Sequence, residues 1–290
     1  MVRWAHKAKF KGNGMTDLIT TPPKVSGLKR RKARDVIHRI ALVLAVLTPL
    51  VFMMAGFGAK FGLWSWQFGL GTLTRGVGMK MLMGLVAFGL LAVIATVLVK
   101  PRKGWWVGIL TLIIGIAGMA KGAATQKTVA SLPFIHDVTT DTQNPPVFTD
   151  VILTERGKVE GVNTLEYIGK TAPSGADLKE KTLVSVLQTA AYPNVRSLVL
   201  GDTPDVAFGE ALVVAKSMGW TIKSKNLEAG TIEATATTFW YGFKDDVAIR
   251  IRPAEGGGSI VDVRSVSRVG GSDLGANAAR VKAFLGKLSG

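Results

Sequence analysis

The stretch Asp262-Val263-Arg264-Ser265-Val266-Ser267-Arg268-Val269-Gly270-Gly271-Ser272-Asp273-Leu274-Gly275-Ala276-Asn277 reads as a strand, a break and the start of a helix. Val261 and Val263 alternate with Asp262, Arg264 and Arg268, the two-residue period of a strand with one apolar face. Gly270-Gly271 interrupts the pattern, and Ser272 or Asp273 is placed to open a helix. Beyond it Leu274, Ala278, Val281, Leu285 and Leu288 recur at spacings of 4, 3, 4 and 3, the apolar stripe of an amphipathic helix.

Upstream of that strand lie three more of the same kind. Trp220 to Asn226 alternates about Trp220 and Ile222, and Thr231 to Thr238 about Ile232, Ala234 and Ala236. Val247 to Arg252 sets Val247, Ile249 and Ile251 against Arg250 and Arg252. Helices are expected from Asp177 to Ala191, stopped by Tyr192-Pro193, and from Thr203, with Pro204 at the first helical position, to Gly219. An antiparallel four-stranded sheet with flanking helices and one covered face is an α+β domain, expected over residues 151–290.

The rest of the chain has a different chemistry. Residues 1–124 hold 18 of the 36 Lys and Arg and two of the 20 acids, Asp17 and Asp35, so the net charge of +16 belongs to this part. The charge balance of the remainder argues against nucleic-acid binding despite the high overall charge. Apolar runs at 36–57, 77–99 and 104–120 are each near the ~20 residues that cross a bilayer. A basic tail, 1–35, precedes the first run, and Lys100, Arg102 and Lys103 lie between the second and third. Both groups are expected on the cytoplasmic side, with the 58–76 loop and the C-terminal domain outside, which in a bacterium is the periplasm. Translation from either Met1 or Met15 fits this layout. A linker is expected at 123–150.

In the third run Gly104, Gly108, Thr111, Gly115, Gly118 and Gly122 fall on one helical face. That stripe suits close packing against the chain's own spans or against another membrane protein. No acidic residue occurs in any span, which argues against a proton relay or cation pathway.

The run Trp240 to Val247, then Arg264-Ser265-Val266-Ser267-Arg268-Val269-Gly270, then Ser272 to Asn277 with Arg280, resembles the domain-of-unknown-function family number 1499. His136-Asp137-Val138-Thr139-Thr140-Asp141, Pro145-Pro146 and Ala191-Tyr192-Pro193 resemble it as well, over about residues 130–290. The resemblance implies the domain and supplies no activity.

Signatures for hydrolases, zinc proteases, P-loops and dinucleotide binding are absent, and there is no Cys. Of the three histidines only His136 lies in the C-terminal part. His136 with Asp137 and Asp141 is better explained as turn chemistry than as a metal site. No metal, no cofactor and no catalytic residue is expected. The candidate polar group is Asp245, Asp246, Arg250, Arg264, Ser265, Ser267, Arg268, Asp273, Asn277 and Arg280, beside the aromatic turn Phe239, Trp240, Tyr241 and Phe243. These residues are expected either to lock the turn to the last helix by ion pairs, or to form an anion pocket completed by the amides that open that helix. The expected function is a non-enzymatic accessory or assembly subunit of a larger complex in the bacterial inner membrane, with membrane lipids and another membrane protein as partners. The alternative is binding of an anionic lipid or amphiphile.

Overall fold

A computed structural model describes residues 25–175 and 177–290. Most of the basic tail, including Trp4, Phe10, Asp17 and both candidate start methionines, lies outside the described residues. Three helices are long and apolar enough to cross a membrane, and they exceed the expected spans at several ends. Helix α1 (Val25–Lys60) takes in the basic cluster at 29–34 of the expected tail. A π-helix (Phe68–Gly78) runs into α2 (Met79–Leu98), so most of the loop expected at 58–76 is helical. Helix α3 (Trp105–Ala130) continues past Gly122 to Ala130, so the expected linker starts as helix. Ala, Lys and Gln favour helix, and the chain breaks only near Ser131-Leu132-Pro133.

Small residues set the helix spacing in this bundle. A Cβ on Gly108 would lie 2.9 Å from the Val93 amide nitrogen, and one on Gly115 3.0 Å from that of Val86, both on α2. Gly89 of α2 meets Leu112 of α3 in the same way. Gly118 faces Leu82, Gly104 faces His38, and Thr111 is fully buried with its hydroxyl on the Val107 carbonyl at 2.7 Å. The stripe therefore packs against the chain's own helices. Gly108→Leu is expected to separate α2 from α3 at a cost of about 1–3 kcal/mol, because the obstacle is backbone. Thermal unfolding in detergent, followed by helical circular dichroism, reads this directly. Gly122→Ala, whose new Cβ would meet only the Met79 methyl at 3.5 Å, should be close to neutral.

After the bundle the elements are β1 (Asp137–Thr139), α4 (Asp150–Gly157), β2 (Thr171–Ser174), β3 (Glu180–Leu183), α5 (Val184–Ala191), β4 (Leu198–Leu200) and α6 (Pro204–Ser217). They are followed by β5 (Thr221–Asn226), β6 (Thr231–Thr237), β7 (Lys244–Pro253), β8 (Ser259–Ser267) and α7 (Ala276–Leu288). The sheet has six strands where four were expected, in antiparallel order β1-β8-β7-β6-β5, with β4 also paired to β8. Strands β1 and β4 have three residues each, too short for alternation to announce them. They share one edge of β8 end to end, β1 along 264–266 and β4 along 259–261.

Two expected helices differ. The hairpin β2–β3 replaces the first half of the helix placed at 177–191. Pro173 and the left-handed Gly175 (φ +78°) divert the chain there, and only Val184–Ala191 is helical. The last helix begins at Ala276, not at Ser272 or Asp273. The Asp273 carboxylate accepts the Gly275 and Asn277 amides at 2.9 and 2.8 Å, while Leu274 and Gly275 take positive φ. Leu274 is consequently exposed, and Phe284 takes the core place instead, stacked on Trp220 with ring centroids 5.4 Å apart. Helices α6 and α7 cover the face built from Ile232, Val247, Ile249, Ile251, Val261 and Val263. Thr203 stands at the N-cap of α6 with Pro204 following, although its hydroxyl makes no capping bond.

Candidate functional site

The pleat of the sheet divides the candidate polar residues into two groups. In register, Asp245 pairs with Ser267 and Val247 with Ser265, whereas Asp246 pairs with Val266 and Ala248 with Arg264. Successive side chains point to opposite faces, so Asp245, Ser265 and Ser267 share the helix-covered face, and Asp246, Arg250, Arg264 and Arg268 lie on the other. A single pocket uniting all of them with the amides of α7 is not formed.

On the helix-covered face, Arg280 of α7 donates to Asp245 and to Ser265 Oγ, the latter at 2.9 Å. Ser265 donates to Asn277 Oδ1 at 2.7 Å, and the Asn277 amide donates to Ser267 Oγ and the His136 carbonyl, both at 3.0 Å. Asp273 occupies the helix N-terminus itself. Burial, and then the charge of Asp245, push its carboxyl up, against the pull of the two amides it accepts. An external anion there would have to displace a carboxylate already in place.

The opposite face is roofed by the segment between β1 and β2. Arg264 donates its Nε and Nη2 to both oxygens of Asp137, at 3.0 and 2.7 Å, its Nη1 to the Pro146 carbonyl at 3.2 Å, and its Nη2 also to the Leu165 carbonyl. The Phe148 and Tyr167 rings flank it at 5.5 and 5.6 Å, and the residue is 2% exposed. Asp246 is shared by two arginines: Arg156 at 2.8 Å and Arg268 through Nε and Nη2 at 2.9 and 2.8 Å, with Thr235 Oγ1 donating at 2.8 Å. Asp262 accepts Arg250 at 2.8 Å and Arg252 at 3.2 Å, together with Ser197. Burial alone would raise the Asp262 carboxyl; the bonds from Ser197 and Arg250 and the two guanidinium charges outweigh it and hold it below the usual range. Glu233 holds Thr149, at the N-cap of α4, through both amide and hydroxyl, and also Ser224 Oγ.

The partners Arg156, Glu233 and Tyr167 escape sequence reasoning because each is a lone polar residue whose role comes only from the opposing strand. His136, Asp137 and Asp141, adjacent in sequence, have separate fates: Asp137 faces Arg264, Asp141 faces Arg250, and His136 faces Lys170. Among the described residues no group of three His, Asp or Glu could hold a metal.

The aromatic turn lies elsewhere, against the end of the bundle. Phe57 of α1 meets Trp240 and Phe239 at centroid distances of 5.1 and 5.7 Å, and Trp66 meets Phe243 at 5.6 Å. Lys60 Nζ donates to the Phe239 carbonyl at 3.0 Å, and Thr74 of the π-helix bonds the Tyr241 hydroxyl. Gly242, at φ +67°, gives the backbone room beside Lys60, where a Cβ would come within 3.1 Å of its Cα.

A cleft lies beside this framework, at the start of β1. Phe134, Ile135, His136, Asp137, Lys170, Thr171, Ala172, Pro173, Val184 and Gly271 line a space of about 210 Å³. Lys170 Nζ lies 3.0 Å from His136 Nε2, and His136 Nδ1 lies 3.2 Å from the Gly271 carbonyl. Burial first, and then the neighbouring Lys170 charge, lower the His136 pKa from 6.5; burial also lowers that of Lys170. A base with a depressed folded pKa makes the unfolded chain the stronger proton binder. His136 thus contributes stability that is complete above about pH 6.5 and is lost as pH falls through its lower folded value. Denaturant titrations between pH 7.5 and 5 should show that slope in the wild type and a shallower one in His136→Gln.

Residues 137–288 match the model of a family described as "Protein of unknown function (DUF1499)". No curated protein matches the chain.

Proposed function

The chain belongs to the DUF1499 family, whose description assigns no activity, and on that premise we propose that it is a non-enzymatic accessory or assembly subunit of a larger complex in the bacterial inner membrane. In this reading its N-terminus is cytoplasmic and its folded domain is periplasmic. The observation that carries the reading is the clasp between Phe239, Trp240, Tyr241 and Phe243 and the bundle residues Phe57, Lys60, Trp66 and Thr74. A domain held at a fixed attitude on its membrane helices suits a docking element, whose partner must meet both at once. The ion pairs of the sheet serve the same rigidity, since they tie the roof segment to the sheet.

The orientation is supported by charge. Arg31 donates to the Lys100 carbonyl at 3.0 Å and Arg34 to that of Val99 at 3.4 Å, so the two basic groups gather at the bundle end away from the clasp. Basic residues of short loops stay cytoplasmic. Because the chain has no Cys, single cysteines give a clean test. In intact spheroplasts a membrane-impermeant maleimide should label Lys216→Cys in the domain and spare Lys103→Cys; the reverse pattern would refute the orientation. Gentle solubilisation followed by mass spectrometry should recover further membrane subunits, fewer of them from Trp240→Ala/Tyr241→Ala. Recovery only as a lone monomer would sink the accessory role.

The second reading, an anionic lipid or amphiphile held by an Arg/aromatic pocket, has less support. The guanidinium of Arg264 is occupied by Asp137 and two carbonyls, and the aromatic turn is occupied by the bundle. Native mass spectrometry would favour it if co-purifying lipid were lost from a folded Arg264→Ala variant.

A further inference from the structure

We propose that the cleft beside Gly271 is a covalent binding site for a small apolar aldehyde, with Lys170 as the nucleophilic amine and His136 as its base. The proposal is independent of the docking role, since the cleft is lined by neither the clasp nor the bundle.

The arrangement has the three parts that an activated nucleophile needs: a nucleophile, a base within hydrogen-bond reach, and a group that orients the base. The Gly271 carbonyl can only accept, so Nδ1 of His136 carries the proton at that contact. This leaves the Nε2 lone pair facing Lys170 Nζ at 3.0 Å. Nζ has one further partner, the Thr164 carbonyl at 3.3 Å, also an acceptor. The walls are Phe134, Ile135, Ala172, Pro173 and Val184, with Asp137 and Thr171 completing the lining, and the amine is half-buried among them.

The charged groups around Lys170 are Asp137 and Glu166, which favour its ammonium, and Arg264 and Arg156, which oppose it. Asp137 is already held by Arg264 in a two-point pair, so it is not free to become the lysine's own counterion. Burial acts in the same sense as the arginines and lowers the lysine pKa. A cleft whose lysine is driven towards the free amine discriminates against anions and favours a neutral electrophile.

The step balances. The Lys170 ammonium passes a proton to His136 Nε2, and the free amine forms a C–N bond to the aldehyde carbon. A proton moves from nitrogen to oxygen, giving a neutral carbinolamine. The His136 imidazolium then protonates the hydroxyl, the C–O bond breaks, and one water leaves. The products are the protonated imine on Lys170 and neutral His136, with the same net charge as the reactants and no oxidation or reduction.

The test uses full-length protein in detergent, hexanal as the probe, borohydride to fix the imine, and peptide mass spectrometry to rank the lysines. At pH 7.5 Lys170 should label several-fold faster than the exposed Lys158 and Lys216, because burial lowers its pKa and leaves more of it as the free amine. That advantage should shrink as pH approaches 10.5, where ordinary lysines are also free amines. A folded His136→Gln variant should lose most of the excess at Lys170 and none of the labelling at Lys158. Wild-type Lys170 labelling no faster than Lys158 would overturn the proposal whether or not the variant folds. So would an excess that is unchanged at high pH, because accessibility alone would then account for it.

Discussion

Asp246→Ala is expected to destabilise the domain by about 3–5 kcal/mol, the range for removing one partner of a buried ion pair. The carboxylate is fully buried and serves two guanidiniums, those of Arg156 and Arg268, each with a side chain 4% exposed. Without it both charges remain in a site that water does not reach, and Thr235 loses its acceptor. The nearest other carboxylate is Glu155, 3.8 Å from Arg268 and partly exposed, and it already engages Lys158 and Lys223. Chemical denaturation followed by tryptophan fluorescence in detergent measures the loss, since Trp220 sits in the domain core. Glu155→Gln should have a much smaller effect, as exposed pairs do. Equal effects for the two variants would show that Asp246 is not the anchor of this face.

Arg264→Ala should cost a comparable about 3–5 kcal/mol, and Arg264→Lys should recover little of it. A lysine supplies a compact charge with three donors, whereas this site needs a planar fork that spans both oxygens of Asp137 while reaching the Pro146 and Leu165 carbonyls. The paired change Asp137→Asn/Arg264→Met should cost less than the sum of its single changes, because neither charge is then stranded. Additive costs in that cycle would mean that the two side chains do not share one interaction.

The three apolar helices were legible from the length of their apolar runs, and the four long strands from their alternation, because each signal lies within a continuous stretch. Asp262, Arg264 and Arg268 were likewise readable as one face of β8. What could not be read was which residues oppose that face. Alternation states that Asp245 and Asp246 point to opposite sides, but it does not say what lies above either side. Only the fold brings Arg156, from a short helix without a clear apolar stripe, to Asp246. The hairpin at 171–183 was missed because Leu178, Lys179, Glu180 and Lys181 lie readily in a helix, and the turn at Gly175 decided against them. Leu274 misled for a related reason: it extends the spacing of α7 by one turn, yet the Asp273 turn holds it outside the helix. His136 falls in the expected linker, yet its ring is held at both nitrogens.

The edge that β8 shares with β1 has a consequence for how the protein is made. Asp137, in the first strand after the bundle, lies opposite Val266, in the last strand of the chain. Contacts so far apart in sequence form late, because the intervening loop must be closed before they repay its entropy. The nascent domain therefore keeps its first strand, and the carboxylate that Arg264 requires, without a partner until β8 has been synthesised. A chain cut short before Ser259 would carry the three apolar helices and an open sheet edge, a form suited to recognition by quality-control proteases.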